Sequence, residues 1–256
     1  MKCTSFIQFF LSLILVANAN ASQNSESVVD DALIGQVFDI ADNEGGQLAV
    51  RIDAVERDGD QPNSDVFLYT LSAFNSLERV WQNVCRPGPD GLSKAVFMQG
   101  HWNAQGQYVE SAQLSFGCTS GVLAKCVRWG YKPWLDTPEL PMKQLHQACS
   151  RLARADYCGN GVGHTKDGTA INVFDVFGIQ SQDAADGMKF EAAWNAQGAI
   201  AIEHGRYAPA DQIRAECPDR LQQHNVNDGE PLPMQELQRL YPNALMFNES
   251  YVQLSN

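Results

Sequence analysis

The chain has 256 residues, of which 44% are hydrophobic and 19% charged, and its formal net charge is −12 at pH 7. A chain of this length can bury one substantial core or two small ones. A negative charge of this size repels nucleic-acid phosphates and anionic lipid surfaces, and no run of five or more basic residues offsets it. We therefore expect an acidic folded protein that does not bind nucleic acid.

The first 21 residues have the pattern of a secretory signal peptide. Lys2 precedes an apolar segment, residues 6–16, and Ala19-Asn20-Ala21 fits the small-x-small rule for cleavage. A membrane span needs about 20 apolar residues, which is more than this segment offers. We therefore expect cleavage after residue 21, a flexible lead over residues 22–33 and a periplasmic or extracellular product without a membrane span.

Six cysteines follow the predicted cleavage site, and an even number in an exported chain is typical of a disulfide framework. The sequence contains no C-x-x-C motif and no Cys/His cluster with the ligand spacing of a zinc site. We therefore expect three disulfides, no metal site and no cofactor. The six cysteines are Cys85, Cys118, Cys126, Cys149, Cys158 and Cys217.

The first half of the mature chain has the patterns of β-strands. Apolar residues alternate with mostly polar ones from Leu48 to Ala54, as in a half-buried strand. Asn103-Ala104-Gln105-Gly106 suits a type I turn closed by a left-handed glycine, which predicts a hairpin. The predicted strands lie at residues 35–40, 48–54, 66–74, 94–102 and 107–116.

Two helices are predicted next in the chain. The first runs from an N-cap at Ser120 to Trp129, where Gly130 ends it, and the second is opened by Pro141 and runs to about Ala155. The remaining elements are a strand region at 169–179, a hairpin at 188–203, helices at 210–221 and 234–240, and a tail strand at 244–254. We therefore expect a single α+β domain over residues 34–256, mainly antiparallel β hairpins with a few short helices.

Five residues recur identically in the chain. The first WNAQG segment is Trp102–Gly106 and the second is Trp194–Gly198, and each lies between two strand-like stretches. A duplicated β-unit would explain the recurrence. Because the similarity fades outside the five residues, one hairpin turn used twice is the favoured interpretation.

Several stretches resemble the signature of the ADYC domain family. The most specific are Arg154–Gly161, which contains Ala-Asp-Tyr-Cys, and His164–Thr169. The runs Ala124–Trp134, His146–Cys149 and Tyr69–Cys85 are similar to further parts of the family pattern. The resemblance covers about residues 34–220. It implies an exported bacterial protein with a shared domain, and it carries no catalytic residues over to this chain.

Three polar side chains in this signature are candidates for general acid/base chemistry. Asp156, His164 and Asp167 lie close together in the sequence, among several glycines that would let the backbone approach a ligand. The alternative is turn chemistry, in which the acidic residues cap turns and the glycines supply positive φ values. No nucleophile elbow and no H-E-x-x-H motif accompanies the three residues.

An aromatic cluster is the candidate ligand-binding surface. Trp129, Tyr131 and Trp134 lie close to Arg128 and Lys132, and exposed aromatic rings beside hydrogen-bond donors form stacking platforms for ligands such as sugars. The alternative, which is the commoner case, is that these rings pack the first helix onto the sheet.

The disulfide pairing is predicted from the two helices. Two amphipathic helices joined by a short loop pack their apolar faces together, which would bring one cysteine of each helix into range. If the helices are antiparallel, the cysteine before the first lies near the cysteine after the second. The predicted pairs are Cys126–Cys149, Cys118–Cys158 and Cys85–Cys217. The main alternative is a local bridge between Cys149 and Cys158.

Two functional classes are compatible with the sequence. The first is a non-catalytic envelope or extracellular binding module for a small-molecule, glycan or protein ligand. The second is an exported hydrolase that uses Asp156, His164 and Asp167 as acid/base groups. The second requires His164 and two carboxylates to converge in a concave pocket within hydrogen-bond reach.

Overall fold

The computed structural model describes residues 31–41, 47–59, 65–183, 187–221 and 232–252. The predicted signal peptide lies outside the described residues, as does most of the predicted lead. The end of that lead, Asp31–Leu33, forms a short 3-10 helix. Within the described ranges, no helix has both the length and the apolar character needed to cross a bilayer.

The first of two antiparallel sheets is built from the N-terminal half of the chain. Its spatial order is β1-β2-β3-β5-β6, with β4 paired to β3. The predicted strands of this half are all present, whereas β4 was not predicted. The strands are β1 (Val37–Ala41), β2 (Gln47–Arg57), β3 (Phe67–Asn75), β4 (Val80–Asn83), β5 (Ala95–Trp102) and β6 (Tyr108–Cys118).

The second sheet is built from the C-terminal half and has the order β7-β10-β8-β9. The last strand of the chain is inserted between β7 and β8, and it pairs antiparallel with both. The α+β class with mainly antiparallel strands is thereby confirmed. The strands are β7 (Ile171–Asp175), β8 (Lys189–Asn195), β9 (Gly198–Ile202) and β10 (Met246–Ser250).

In the described part of the chain, four short α-helices accompany the sheets. They are α1 (Val122–Arg128), α2 (Met142–Arg154), α3 (Ala210–Glu216) and α4 (Met234–Leu240). Both predicted helix starts are corrected by one residue: Gly121 rather than Ser120 is the N-cap of α1, and Pro141 is the N-cap of α2 rather than its first residue. Neither N-cap makes a side-chain hydrogen bond to its helix.

Helix α2 is the central packing element. Leu145, Cys149 and Leu152 are fully buried on one face of it, in a cluster that also contains Trp194 of β8. On its other side the ring of His146 packs on Trp102, with centroids 5.2 Å apart, and its Nε2 lies 3.0 Å from the Leu123 carbonyl oxygen. Burial lowers the pKa of His146 to about 4, so the ring is neutral near pH 7.

One disulfide joins the two central helices. Cys126 of α1 is bonded to Cys149 of α2, with 5.9 Å between their Cα atoms. This is the pairing expected from the packing of two apolar helix faces.

The other two predicted pairings are wrong. The structure bonds Cys85 to Cys118 and Cys158 to Cys217, with Cα–Cα distances of 5.4 and 5.6 Å. The prediction placed Cys118 and Cys158 at neighbouring helix ends. Instead, Cys118 is the last residue of β6 in the first sheet, whereas the loop that carries Cys158 packs on the second sheet, where the Ala199 N–H donates to the Tyr157 carbonyl (2.9 Å).

Candidate functional site

The loop after α2, Ala155–Gly161, is held by several buried polar contacts, and we call it the signature loop. It begins with Ala155 in the left-handed conformation, with φ at 51°, which turns the chain sharply out of the helix. The Asp156 carboxylate is fully buried, accepts the N–H groups of Asn160 (3.1 Å) and Gly161 (3.0 Å) and forms an ion pair with Arg151. Asp156 therefore closes the loop on itself and ties it to α2.

The next residue anchors the loop in the core. The Tyr157 hydroxyl donates to Glu191 (2.9 Å), and its ring stacks on Trp194 with centroids 5.1 Å apart. Burial and then the neighbouring Glu191 raise the pKa of Tyr157 well above its ordinary value. Burial opposes ionisation of Glu191, but the Arg206 guanidinium holds the pKa of that carboxyl below its ordinary value. Arg206 also donates to the Leu152 carbonyl (2.7 Å), so this buried network caps the C-terminus of α2.

Both WNAQG segments contact the signature loop, one from each sheet. The first forms the β5–β6 turn and the second the β8–β9 turn. A Cβ atom added at Gly159 would lie 1.7 Å from the Gln197 carbonyl oxygen, and one at Gly161 would lie 2.8 Å from that of Ala104. The repeated sequence therefore forms two turns that pack against the same loop from opposite sides.

Helix α2 holds the first of these turns directly. Gln147 accepts the Tyr108 N–H (2.8 Å) and donates to the Gly106 carbonyl (2.7 Å), and Arg151 donates to the Gln105 carbonyl (2.6 Å). Side chains four residues apart lie on one side of a helix, so Lys143, Gln147 and Arg151 form a stripe that faces this turn.

A cleft of about 510 Å³ lies between this stripe, β6, the signature loop and the second WNAQG segment, and we call it the larger cleft. Its lining is polar and rich in glutamine, and none of the described residues that form it carries a carboxylate. The lining residues are Gln107, Tyr108, Lys143, Gln144, Gln147, Arg151, Cys158, Gly159, Ala196, Gln197 and Arg220.

A smaller pocket of about 290 Å³ lies beside the first WNAQG segment and shares Arg151 with the larger cleft. It contains Asp156 and Arg154, whose guanidinium donates to the Gly161 carbonyl. Because the Asp156 carboxylate is occupied by Arg151 and by two backbone N–H groups, this pocket presents a charge pair that is already satisfied.

The catalytic candidates have separate partners. His164 lies with Nδ1 3.2 Å from the Ala155 carbonyl oxygen and Nε2 3.0 Å from a Glu216 carboxylate oxygen. Asp167 is exposed in the turn that contains Gly168. Of the three candidates, only Asp156 lines either of the two pockets. The hydrogen bonds of Asp156 and His164 therefore do not join them into one acid/base group.

The aromatic candidates do not form one platform. Tyr131 is fully buried and donates its hydroxyl to Asp175 (3.0 Å), and burial raises its pKa. Trp129 is half-buried against the core around α2. Trp134 is 44% exposed and donates its indole N–H to Asp65 (3.2 Å). It lines a depression of about 260 Å³ that shares Tyr108 and Lys143 with the larger cleft, so the depression adjoins that cleft.

The sequence reasoning missed the cations of the larger cleft. The spacing of Lys143, Gln147 and Arg151 was a usable signal, because it places three polar side chains on one side of a helix otherwise assigned by its apolar face. Arg220 had no comparable signal, since it follows the Cys158–Cys217 disulfide by three residues and its hydrogen bonds to Ala199 and Asn195 span more than 20 positions.

The family model described as the ADYC domain matches residues 30–208. The match contains α2, the signature loop and both WNAQG segments, whereas Arg220 lies beyond its end. No curated protein and no solved structure matches the chain.

Proposed function

Because the chain belongs to the ADYC domain family, in which the resemblance implies export, we propose that it is an exported, non-catalytic binding module whose ligand occupies the larger cleft. It is a disulfide-stabilised protein with one such domain. The larger cleft is the observation that carries the proposal, because it is concave, polar and bordered by four separate parts of the chain.

Two observations support export. All six cysteines of the predicted mature chain are bonded in three disulfides, and structural disulfides form and persist in oxidising compartments. The N-terminal 21 residues have the pattern of a signal peptide. We infer a periplasmic or extracellular location from the two together.

The support for binding is that the walls of the larger cleft are held in place without a ligand. The α2 wall is fixed by the Cys126–Cys149 disulfide, and the loop wall by the Asp156–Arg151 ion pair and the Cys158–Cys217 disulfide. A preformed cleft binds without the entropic cost of ordering its own walls.

The alternative, a hydrolase acting through Asp156, His164 and Asp167, is less well supported. A general acid or base must reach the reacting group of a substrate. Asp156 is closed off by Arg151 and by the loop N–H groups, and His164 and Asp167 are not among the lining residues of the larger cleft. The described lining contains cations, glutamines and Tyr108 instead.

The two WNAQG segments supply a matched test of the cleft. Ala196 of the second segment lines the larger cleft, whereas Ala104 at the equivalent position of the first lines the smaller pocket. We expect Ala196→Trp to fill the larger cleft and abolish binding, and Ala104→Trp to leave binding intact. The measurement is binding of the purified mature protein to an array of envelope polysaccharide fragments and small metabolites, with thermal unfolding as the check on folding.

Loss of binding in both variants, or in neither, would contradict the placement of the ligand in the larger cleft. Release of a cleaved product from an arrayed compound by the unmodified protein, but not by His164→Ala, would replace the binding module with the hydrolase.

A further inference from the structure

The larger cleft concentrates positive charge in a protein whose net charge is −12. Three of its described lining residues are cations, namely Lys143, Arg151 and Arg220, and none is acidic. Acidic surroundings repel anions, whereas a cleft whose described lining has three cations and no carboxylate attracts them.

Arg220 provides the charge in this cleft that is not neutralised. Its guanidinium donates to the Ala199 carbonyl (2.9 Å) and to the Asn195 side-chain oxygen (3.1 Å), which are both uncharged. Within the described part of the chain it forms no ion pair. Burial, and then the nearby Arg151, lower the pKa of Arg220, since both disfavour its charged form. An anion bound beside Arg220 would relieve that destabilisation.

Arg151 adds an unsatisfied donor beneath the cleft. Its side chain is 2% exposed, and its hydrogen bonds to Asp156 and Gln105 both use Nη1. The buried Nε has no hydrogen-bond partner among the described residues. A buried donor without a partner is costly, and a ligand oxygen or a water that it holds would satisfy it.

Lys143 lies at the rim of the larger cleft, where it forms an exposed ion pair with Glu110 that a ligand can replace. Its ammonium lies 2.7 Å from the Glu110 carboxylate, which is 74% exposed. Exposed ion pairs contribute little, about 0–1 kcal/mol, so a ligand anion can compete for Lys143. The glutamine amides at 107, 144 and 197 offer both donors and acceptors, which suits hydroxyl groups.

We propose that the larger cleft binds an acidic sugar, with its carboxylate or phosphate at Arg220 and Lys143 and its hydroxyls on the glutamine amides. This inference rests on the proposed function, since it names the ligand class of the same cleft. Trp134 lines the depression that adjoins the cleft, where a further sugar unit of a longer chain would stack on its ring.

The test compares D-glucuronate, D-glucose 1-phosphate and D-glucose by titration calorimetry at low salt. D-glucuronate carries its acid group at C6 and D-glucose 1-phosphate at C1, and the other hydroxyls are those of glucose. Tighter binding of either one than of glucose therefore measures the contribution of an acid group at that position. We expect at least one charged sugar to bind about tenfold more tightly than glucose, because hydrogen bonds to charged groups contribute more than neutral ones. The preference should weaken as salt is raised.

Four variants sharpen the result. Lys143→Gln should weaken binding of the charged sugar several-fold, and Glu110→Gln should strengthen it by releasing Lys143. Lys125→Gln, an equal charge change at an exposed position of α1 outside the cleft, should leave it unchanged. Arg220→Gln should remove the preference for charge, and the rim variants preserve the test if Arg220→Gln does not fold.

Equal affinity for glucose and both charged sugars, or tighter binding by Lys143→Gln together with weaker binding by Glu110→Gln, would overturn the acidic-sugar assignment while leaving the binding module in place. If Ala196→Trp affected the binding of no compound, the larger cleft would not be the binding site. The failure of the proposed function and the failure of the acidic-sugar assignment are therefore distinguishable.

Discussion

At the scale of single residues, the signature loop is held by buried polar groups whose charges are matched. Asp156 and Tyr157 are adjacent in sequence, but they point to different partners, Arg151 and Glu191. Both residues are fully buried. A buried charge is tolerated only when it is paired and hydrogen-bonded. Arg151 therefore neutralises Asp156 as well as fixing the loop, whereas Glu191 is neutralised by Arg206 and fixes the loop by accepting the Tyr157 hydroxyl.

Replacing Asp156 should therefore be costly, whereas replacing Asp167 should not. In Asp156→Asn, the buried Arg151 loses its counter-charge, and we expect the free energy of unfolding to fall by about 3 kcal/mol. Asp167 is exposed in a turn, so Asp167→Asn should change it by about 0.5 kcal/mol or less. Urea unfolding with the disulfides intact measures both. Equal stability of the two variants would show that the buried ion pair does not hold the loop.

At the scale of elements, both copies of the recurring WNAQG segment pack against the signature loop. Its two copies form turns in different sheets, and the signature loop passes between them. The backbone of the loop approaches each turn so closely that glycine is required at the points of contact. The two copies therefore mark the turns, one in each sheet, that contact the signature loop, whichever way the recurrence arose.

Alanine variants of two glycines distinguish the free-energy cost of backbone strain from the cost of this close approach. Gly159 and Gly168 both have positive φ values, 69° and 82°, but a Cβ at Gly168 would have no atom within 4 Å, whereas one at Gly159 would lie 1.7 Å from the Gln197 carbonyl oxygen. Gly168→Ala should cost about 1–2 kcal/mol through strain alone. Gly159→Ala should cost at least about 2 kcal/mol more, because the backbones must separate. Thermal and urea unfolding of the two variants provide the measurement, and similar losses would refute the close approach.

At the scale of the whole molecule, the three disulfides reinforce three different regions. Cys85–Cys118 lies at the first sheet, Cys126–Cys149 between the helices, and Cys158–Cys217 between the signature loop and α3. The bridged residues are 33, 23 and 59 positions apart in sequence. Chain-entropy models assign each closure of this size a stabilisation of a few kcal/mol. The first sheet, the pair of central helices and the signature loop are thus each held by one disulfide.

The predicted signal peptide and the three disulfides lead to a prediction for the secreted chain. We expect the full-length chain, secreted by a bacterial host, to begin at Ser22 and to lack the two hydrogens that each disulfide removes. Intact-mass measurement tests the start and the oxidation state, and non-reducing peptide mapping tests the pairs Cys85–Cys118 and Cys158–Cys217. A product that retains residues 1–21 would contradict cleavage, and a peptide linking Cys118 to Cys158 would contradict the observed connectivity.

Local patterns in the sequence determined most elements of the fold. Alternating apolar residues identified the strands, the WNAQG segments identified two hairpin turns, and apolar residues at helical spacing identified α2, because each of these signals depends on neighbours within a few residues. Strand β4 escaped prediction for the same reason, since its four residues, of which three are exposed, have too short a pattern to be recognised.

Only the tertiary structure decided which distant residues meet. The pairing of four cysteines, the insertion of β10 between β7 and β8, and the arrival of Arg220 at the larger cleft all join parts of the chain that are far apart in sequence. Such contacts depend on how the two sheets and α2 pack together. Glu216, the partner of His164, likewise lies 52 positions away in sequence. Arg151 lies only five positions before Asp156, and the left-handed Ala155 between them turns the chain back toward it.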